Sequence, residues 1–373
     1  MRFLHLHSSF HAGGKEIRAA QLINAFGPGI THTIVSGQPG ALGAASAIER
    51  GIPVEFPSDY PALSGSPLPG RLQRLAQAMV GYDLVLTYNW GAMDAVMART
   101  LFSKVFAMPP LVHHEDGFNE DEAVRLKLSR NWFRRIALGR AAGLILPSRQ
   151  LEGVAIEAWH QPRWRVKRIP NGIDVRAYGR KPKPDSLPRL IKRPGELWLG
   201  TLAGLRAVKN LPRLVRSFAG LPAEWQLVIL GDGPEREAIR AEAMRLEIGH
   251  RVHLPGFVAD PAAAVGLFDL FALSSDSEQF PISVVEAMAA GLAVASPAVG
   301  DVSDMVGEAN RAFITPYGDE AALAAALVRL ARDAGLRERI GSANRTKAWA
   351  EFNRQTMVSA YRRAYWEAMG QPV

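Results

Sequence analysis

Short apolar runs alternate with helical patterns along the whole chain. Between the runs, segments such as EIRAAQLINAF and RLQRLAQAMV place apolar residues three or four positions apart, the spacing of an amphipathic helix. The β-like runs are FLHLH, HTIVSG, DLVLTYN, PPLVHHE, AGLILPS and VKRIPNG in the first half, and LWLGTLA, QLVILGDG, RVHLPGF, DLFALSS, LAVASP and AFITP in the second. This alternation predicts βαβ units and a mostly parallel sheet in each half.

Length and proline distribution predict two domains. The chain has 373 residues, more than one ordinary core accommodates. The segment GRKPKPDSLPRLIKRPGE has four prolines and no apolar period, which is typical of a linker. We predict Rossmann-like domains over 1–178 and 195–352, a hinge over 179–194 and a final helix in 353–373. The two domains are expected to face each other across a cleft, where strand carboxyl ends form a ligand site.

Composition excludes several classes of protein. There is no cysteine, which rules out disulfide frameworks, thiolate metal sites and cysteine nucleophiles and fits a reducing cytoplasm. The opening MRFLHLHSSF is broken by His5 and His7, so it predicts a strand rather than a signal peptide. Because eighteen apolar residues never run together, no transmembrane helix is expected.

The net charge of +8 is unevenly distributed. Residues 1–190 contain 24 Lys and Arg against 15 Asp and Glu, whereas residues 191–373 contain 20 against 21. A basic half attracts anionic lipid, phosphorylated substrates or nucleic acid. No recognised nucleic-acid motif accompanies the charge, so a nucleic-acid partner is not expected. A solvated arginine-rich surface is the alternative interpretation.

The segment SEQFPISVVEAMAAG contains two glutamates separated by seven residues, Glu278 and Glu286. Pro281 is predicted to start a helix that Gly291 ends. The first amides of that helix lack intrahelical partners and favour a phosphate. They belong to Ile282, Ser283 and Val284.

Two carboxylates beside a phosphate would repel it unless they bind other groups, and hydroxyl groups are the expected choice. A nucleotide sugar has hydroxyl pairs on both sides of its pyrophosphate, one on the sugar and one on the ribose. Glu278 would then hold the sugar and Glu286 the ribose. A loop charge and a surface helix residue are the alternative interpretation of these two glutamates.

This segment resembles the paired-glutamate motif of glycosyltransferase family 4, whose members have the two-domain GT-B fold. Further similarities follow in the family's order: IPNGID, AVKNLPRLVRSFAGL, ILGDGPE, VHLPGFV and GLAVASPAVGDVSDMV. The resemblance covers roughly residues 165–320 well and the first half more loosely. It implies that 353–373 crosses back to the first domain.

The resemblance also implies residue roles in binding the donor. Lys209 would meet the donor diphosphate, Glu278 the hydroxyls of the donor sugar and Glu286 the ribose. Further donor contacts are implied at Gly14, Asp232, Gly233, Val258, Gln279, Phe280, Pro281, Ile282, Ser283 and Val284. For Asp232 and Gly233 a purely structural turn is the alternative, as it is for Asn171 and Gly172.

Three positions depart from the family pattern. Gly204 stands where members commonly have a second phosphate-binding arginine, and Arg206 is the candidate replacement. Gln279 replaces the usual glycine after the first glutamate, and Ala293 replaces a proline. Whether Arg206 takes over the missing charge is left open by the sequence.

The first half supplies the predicted acceptor residues. Gly13 and Gly14 precede a helix and permit close approach of a ligand, and Lys15 is placed to meet an anionic acceptor. In LVHHEDGFNEDE, His113 matches the histidine that family members place beside the acceptor, so it joins Glu278 and Lys209 as a catalytic candidate. His114, Glu115 and Asp116 are rivals, because a strand turns only alternate residues to one face. No metal is expected in this cluster.

The segment RLKLSRNWFRRIALGR interleaves cations with aromatic residues, a pattern that suits a helix on an anionic membrane. A solvated basic face on a domain helix is the alternative. The predicted contact spans residues 125–140, with cations Arg125, Lys127, Arg130, Arg134, Arg135 and Arg140 around Trp132 and Phe133.

Together these features predict a retaining, metal-independent glycosyltransferase that needs no cofactor. Its expected donor is a nucleoside-diphosphate sugar, UDP- or GDP-linked, and its expected acceptor a glycan or lipid-linked glycan of bacterial cell-surface polysaccharide or glycolipid synthesis. The expected location is the cytoplasm, at the inner face of the membrane. A nucleotide-sugar epimerase on the same fold, or an impaired relative acting as a binding partner, is the alternative.

Overall fold

The chain forms two units and passes between them twice. A computed structural model describes residues 1–118, 122 and 126–372. The first unit comprises Met1–Asn171 and the segment from Met357 onward, and the second comprises Gly172–Thr356. Each unit has its own parallel sheet and its own apolar clusters.

The first unit is built on a seven-stranded parallel sheet in the order β3-β2-β1-β4-β5-β6-β7. Its strands are β1 (Arg2–His7), β2 (Thr31–Ser36), β3 (Val54–Glu55), β4 (Leu84–Tyr88), β5 (Leu111–His114), β6 (Gly143–Leu146) and β7 (Val166–Arg168). Its helices before the first crossing are α1 (Gly14–Phe26), α2 (Pro69–Ala78), α3 (Met93–Phe102), α4 (Leu128–Ala137) and α5 (Arg149–Glu157). The central strands are almost wholly buried, including the histidines of β1, β2 and β5, because helices cover a parallel sheet on both faces.

The second unit has a six-stranded parallel sheet in the order β10-β9-β8-β11-β12-β13. The strands are β8 (Leu197–Leu202), β9 (Trp225–Leu230), β10 (Val252–Gly256), β11 (Leu270–Ala272), β12 (Val294–Pro297) and β13 (Ile314–Thr315). The helices are α6 (Val175–Tyr178), α7 (Leu211–Phe218), α8 (Arg236–Arg245), α9 (Ile282–Ala289), α10 (Val302–Met305), α11 (Glu320–Arg332) and α12 (Ala334–Glu351).

The last helix, α13 (Arg354–Ala368), packs in the first unit from Met357 onward. Tyr361 and Tyr365 are each 1% exposed and lie in the apolar cluster beneath β1 and β4. The Tyr365 hydroxyl lies 2.8 Å from Nε2 of His114 on β5. The C-terminal segment therefore completes the core of the N-terminal sheet.

The predicted hinge over 179–194 differs from the division that the structure shows. The chain leaves the first unit after Asn171, so the predicted boundary at 178 lies within the second unit. Leu187 is 2% exposed in the core of the second unit, and Lys192 Nζ pairs with Asp269 Oδ2 at 2.5 Å. Proline density predicted correctly that the segment lacks regular structure, but it does not report whether such a segment is packed.

The predicted strands and the limits of α9 are confirmed. Every apolar run named above forms a strand, and among the described residues the two-residue β3 is the one strand that was not predicted. Pro281 caps α9, and Gly291 follows its end with φ of +80°. In the part of the chain that the structure describes, no helix is long and apolar enough to cross a membrane.

Candidate functional site

In the second unit, Lys209 and Glu278 form an ion pair. Lys209 Nζ lies 2.6 Å from Glu278 Oε1, and both side chains are largely buried, at 16% and 11% exposure. Lys209 follows β8 and Glu278 follows β11, and these strands are neighbours in the sheet. Because parallel strands end at the same edge, residues 69 positions apart meet there.

Two further contacts tie the loops that carry this pair. Ser275 Oγ donates to Glu278 Oε1 at 2.7 Å, and Ser274 Oγ donates to the Lys209 carbonyl at 2.9 Å. Arg213 Nη2 pairs with Asp276 Oδ1 at 2.6 Å. The loop before α7 and the loop after β11 thus hold the lysine and the glutamate in a fixed relationship.

The start of α9 offers fewer amides to a phosphate than predicted. Val284 N donates to the Pro281 carbonyl at 3.1 Å. The amides of Ile282 and Ser283 remain the candidates. The prediction that the Val284 amide is also unpaired is wrong, because this amide bonds the carbonyl three residues before it, as in a 3-10 turn.

Glu286 accepts a hydrogen bond from a residue that the sequence did not single out. The Tyr178 hydroxyl donates to Glu286 Oε1 at 2.6 Å. Burial raises the pKa of Glu286, and the hydrogen bond from Tyr178 opposes that rise. Burial and the Glu286 charge raise the pKa of Tyr178, so the phenol stays protonated.

The glycine turn after β9 packs tightly against the loop after β8. Leu205 N donates to the Asp232 carbonyl at 2.9 Å, and Gly233 has φ of +153°. A Cβ on Gly233 would lie 2.6 Å from the Leu205 carbonyl oxygen. The Asp232 side chain is 67% exposed and accepts from Gly233 N, which is the geometry of a structural turn.

A glycine that the sequence did not predict shapes the loop carrying Glu278. A Cβ on Gly300 would lie 2.7 Å from the Glu278 carbonyl oxygen and 2.5 Å from that of Gln279, and its φ is +53°. Asp301 N donates to the Gln279 carbonyl at 3.0 Å. Only glycine combines this close approach with a left-handed conformation.

Arg206 lies close to the position where the family arginine is missing. Its Nε is 3.8 Å from the place of a Cβ on Gly204. The residue is exposed, and its guanidinium forms no ion pair with any described residue. A cation is therefore available where Gly204 supplies none.

The remaining predicted donor residues of the second unit are buried or half-buried. Phe280 is 8% exposed and packs edge-on against Phe352 at 5.5 Å, so only its backbone is available to a ligand. Val258 is half-buried and packs on the core of the second unit. Beside it, Phe257 is 77% exposed.

In the first unit, the glycine pair lies where predicted. Gly13 caps α1, and Gly14 is its first residue. Lys15 forms an ion pair with Glu16, and burial lowers the pKa of Lys15 to about 8. The first turn of α1 therefore carries a lysine that loses its proton more readily than an exposed lysine does.

His113 and His114 lie on opposite faces of β5, and both rings are buried. Nδ1 of His113 lies 2.8 Å from Thr87 Oγ1, and Nε2 of His113 lies 3.8 Å from Glu115 Oε2. His114 stacks on Tyr88 and lies beside Tyr365, and burial lowers the pKa of His114 to about 3. The catalytic role of His113 stays a prediction.

Asp116 is held by an arginine that the sequence did not identify. Arg18 on α1 meets Asp116 with two nitrogens, and its Nη1 also donates to Asn171 Oδ1 at 2.8 Å. Burial would raise the pKa of Asp116, but the charge and hydrogen bonds of Arg18 outweigh it and lower that pKa. A helical charge normally faces solvent, so the pattern gave no sign of this contact.

The predicted basic helix is only partly exposed. Arg134 is 1% exposed, pairs with Glu115 and Glu122, and lies 5.0 Å from the Trp159 ring. Phe133 packs against Trp90. Arg134 and Phe133 therefore do not face outward as predicted, and Arg125 lies outside the described residues.

The outward face of α4 is apolar with cations beside it. Leu128, Trp132 and Ile136 are 70%, 59% and 53% exposed. They are four residues apart, so they form one stripe along the helix. The guanidinium of Arg135 lies 5.0 Å from the Trp132 ring, and Lys127 and Arg140 are also exposed.

A cavity of about 540 Å³ lies on the outer side of β10 and contains none of the predicted donor residues. The predicted donor groups are paired with protein groups instead, Lys209 with Glu278 and Glu286 with Tyr178. We therefore define the candidate site by these two polar contacts and not by the cavity. Within the described residues, no group of three or more His, Asp and Glu is arranged to hold a metal ion.

The two units have the fold of GT-B glycosyltransferases. The structure is similar to that of HepE from Anabaena in complex with UDP, with a TM-score of 0.80, 23% identity and coverage of 97% of this chain and 99% of that one. Two family profiles match: Glycosyltransferase Family 4 over residues 12–177 and Glycosyl transferases group 1 over residues 184–347. The chain belongs to glycosyltransferase family 4.

Two curated relatives show the range of the similarity. Phosphatidyl-myo-inositol mannosyltransferase of Mycobacterium leprae is 32% identical over 243 residues, 63% of this chain and 60% of the relative. N-acetyl-alpha-D-glucosaminyl L-malate synthase of Bacillus anthracis is 26% identical over 215 residues, 56% of this chain and 55% of the relative. The chain thus spans a little over half the length of these relatives.

Proposed function

We propose that the protein transfers a sugar from a nucleoside-diphosphate sugar to a hydroxyl of an acceptor glycan or lipid-linked glycan. The observation that carries the proposal is the Lys209–Glu278 pair at the adjoining ends of β8 and β11. It combines a cation for the diphosphate with a carboxylate for sugar hydroxyls. Family membership and the similarity to a UDP-bound protein support a nucleotide sugar as the donor.

The chemistry that these residues support is departure of a nucleoside diphosphate. The bond between the sugar C1 and the phosphate oxygen breaks, and negative charge grows on the diphosphate. Lys209, Arg206 and the amides of Ile282 and Ser283 stabilise that charge. This electrostatic role is the one that a divalent cation plays in other transferases, so we propose that no metal is required.

We further propose that the configuration at C1 is retained. In such a retaining reaction the acceptor hydroxyl attacks C1 from the face that the diphosphate leaves. Its proton passes to a diphosphate oxygen. Glu278 holds the donor sugar through its hydroxyls, and His113 steadies the acceptor hydroxyl. Because the His113 ring is buried, its access to an acceptor requires movement of the surrounding residues.

For the first unit we propose peripheral contact with anionic membrane through the apolar stripe of α4. Leu128, Trp132 and Ile136 supply apolar area, and Lys127 and Arg135 supply cations. An acceptor attached to lipid would be presented at such a surface. On this proposal the reaction occurs at the inner face of the membrane and serves cell-surface polysaccharide or glycolipid synthesis.

The test is a screen of UDP-, GDP- and ADP-sugars by thermal shift, followed by NMR of the product anomer. A ligand at 100 times its Kd raises the free energy of unfolding by about 2.7 kcal/mol. Glu278→Gln is expected to lower turnover about 100-fold, and Glu237→Gln, an exposed glutamate of α8, serves as the control. Failure of every nucleotide sugar to bind, or undiminished turnover in Glu278→Gln, would refute the proposal.

The epimerase alternative predicts a different result in the same assay. An epimerase would convert the donor sugar to its epimer without any acceptor, and NMR detects that product directly. No contact of the second unit favours it over transfer, so transfer is the function we propose.

A further inference from the structure

Tyr178 lies beside the carboxylate proposed to bind the donor ribose. It ends α6, the short helix that follows the crossing into the second unit, and Glu286 lies in the middle of α9. Tyr178 is 8% exposed and belongs to the same apolar cluster as Val285 and Ala289 of α9. The two helices pack against each other, so the phenol has a fixed position.

The hydrogen bond uses one oxygen of the carboxylate. The Tyr178 hydroxyl donates to Glu286 Oε1 at 2.6 Å, a short, charge-assisted contact. Oε2 accepts no hydrogen bond from any described residue. The carboxylate is therefore divided into an oxygen held by the protein and an oxygen available to a ligand.

The surroundings fix Tyr178 as well as its partner. A Cβ on Gly179, the next residue, would lie 2.8 Å from the ring of Trp349 on α12. The end of α6 is thus wedged between α12 and α9. The packing of Tyr178 against α9 sets the position of the phenol, and its hydrogen bond to Oε1 orients the Glu286 carboxylate.

We propose that Tyr178 is a positioning residue that makes Glu286 bind a single ribose hydroxyl of the donor through Oε2. This inference rests on the proposed function. Oε1 already accepts from the Tyr178 hydroxyl, and Oε2, held in one orientation by that bond, lies nearer to one hydroxyl of the ribose than to the other. The donor is consequently recognised unequally at its 2′ and 3′ positions.

The test is calorimetric binding of UDP, 2′-deoxy-UDP and 3′-deoxy-UDP, or the GDP counterparts if GDP binds more tightly. In the wild type, one deoxy compound is expected to bind about tenfold more weakly and the other within about twofold of the parent. In Tyr178→Phe, the two deoxy compounds are expected to lose affinity to a similar, smaller extent. Tyr317→Phe, at a tyrosine 63% exposed in the same unit, is the control for loss of a hydroxyl.

A kinetic readout separates positioning from a merely structural role. Tyr178→Phe is expected to raise the donor KM with kcat unchanged, because the ribose contact is the same in ground and transition states. In a Glu286→Gln background the Tyr178→Phe change is expected to have no further effect on deoxy discrimination. A thermal melt of each variant verifies folding.

The outcomes distinguish this inference from the function on which it rests. Equal losses for both deoxy compounds in the wild type, or unaltered discrimination in Tyr178→Phe, would overturn the inference and leave transfer intact. Wild-type UDP affinity in Glu286→Gln would instead overturn the ribose role of Glu286. Absence of binding by UDP, GDP and ADP alike would overturn the proposed function.

Discussion

Arg18 and Asp116 form a two-pronged ion pair inside the first unit. Arg18 Nη1 lies 2.5 Å from Asp116 Oδ1 and Nη2 lies 2.8 Å from Oδ2, with the arginine side chain 5% exposed. The pair connects α1 to the loop after β5, and Asn171 joins it at the point where the chain leaves the unit. A single arginine thus connects three segments of the predicted acceptor region.

Breaking this pair is expected to destabilise the first unit. Arg18→Met leaves the Asp116 carboxylate buried without its cation, and such losses cost about 3 kcal/mol. Arg240→Met, at an arginine whose side chain is 53% exposed, is expected to change the free energy of unfolding by less than about 1 kcal/mol. Urea unfolding of both variants measures the difference, and equal effects would contradict the role given to Arg18.

Lys209 and Arg206 are expected to contribute separately to diphosphate binding. Lys209→Met is expected to weaken UDP or GDP binding about 100-fold, and Arg206→Met about tenfold, because each removes a charge-assisted contact. Both losses are expected to shrink as salt concentration rises. Calorimetric titrations at two salt concentrations measure them. Unchanged affinity in Arg206→Met would show that Arg206 does not replace the arginine missing at Gly204.

Mild acid is expected to destabilise the first unit through four buried histidines. Burial lowers the pKa of His5, His7, His32 and His114, to about 4 for His32 and about 3 for His114. Because the unfolded chain takes up protons at about pH 6.5, stability is full above that pH. It falls as pH decreases towards the folded values, by about 1.4 kcal/mol per pH unit for each histidine.

Urea unfolding between pH 7.5 and 4.5 measures this slope. His32→Gln is expected to flatten it by about 1.4 kcal/mol per pH unit, whereas His250→Gln, at an exposed histidine, leaves it unchanged. A midpoint that does not move between pH 6.5 and 5 would contradict the prediction.

Trp132 is expected to carry membrane contact. Trp132→Ala is expected to reduce sedimentation with phosphatidylglycerol vesicles about tenfold, because it removes the largest side chain of the α4 stripe. Trp164→Ala is a matched control, since Trp164 is 66% exposed and has the Arg165 guanidinium 4.9 Å from its ring, much as Arg135 lies against Trp132. Equal loss in both variants, or binding to neutral phosphatidylcholine alone, would count against the contact.

Local signals in the sequence predicted most of the secondary structure. Apolar runs marked the strands, and Pro281 and Gly291 marked the limits of α9, because those residues act through their own backbone geometry. After about residue 320 the sequence DEAALAAALVRLARDAGLRERIGSANRTKAWAEF has a continuous helical pattern, but the structure has a break within it. Asp333 ends α11 and caps α12 by accepting from Leu336 N at 2.8 Å, a change of direction that residue periodicity does not record.

Long-range partners were the part of the site that the sequence did not reveal. The paired glutamates were found by their spacing, but Tyr178 lies 108 positions from Glu286 and Arg18 lies 98 from Asp116. Such contacts depend on how helices pack, which no local pattern encodes. The same holds for Arg134, whose cationic side chain resembled a surface charge and instead lies in the core.

The return of α13 to the first unit dictates an order of assembly during translation. Ribosomes deliver Tyr361 and Tyr365 after every strand of both sheets has been synthesised. All residues of the second unit are therefore synthesised before the first unit is complete. In most nascent polypeptides the N-terminal domain is completed and folds first. Loss of the segment from Met357 onward would remove Tyr361 and Tyr365 from the core of the half of the molecule that was made first.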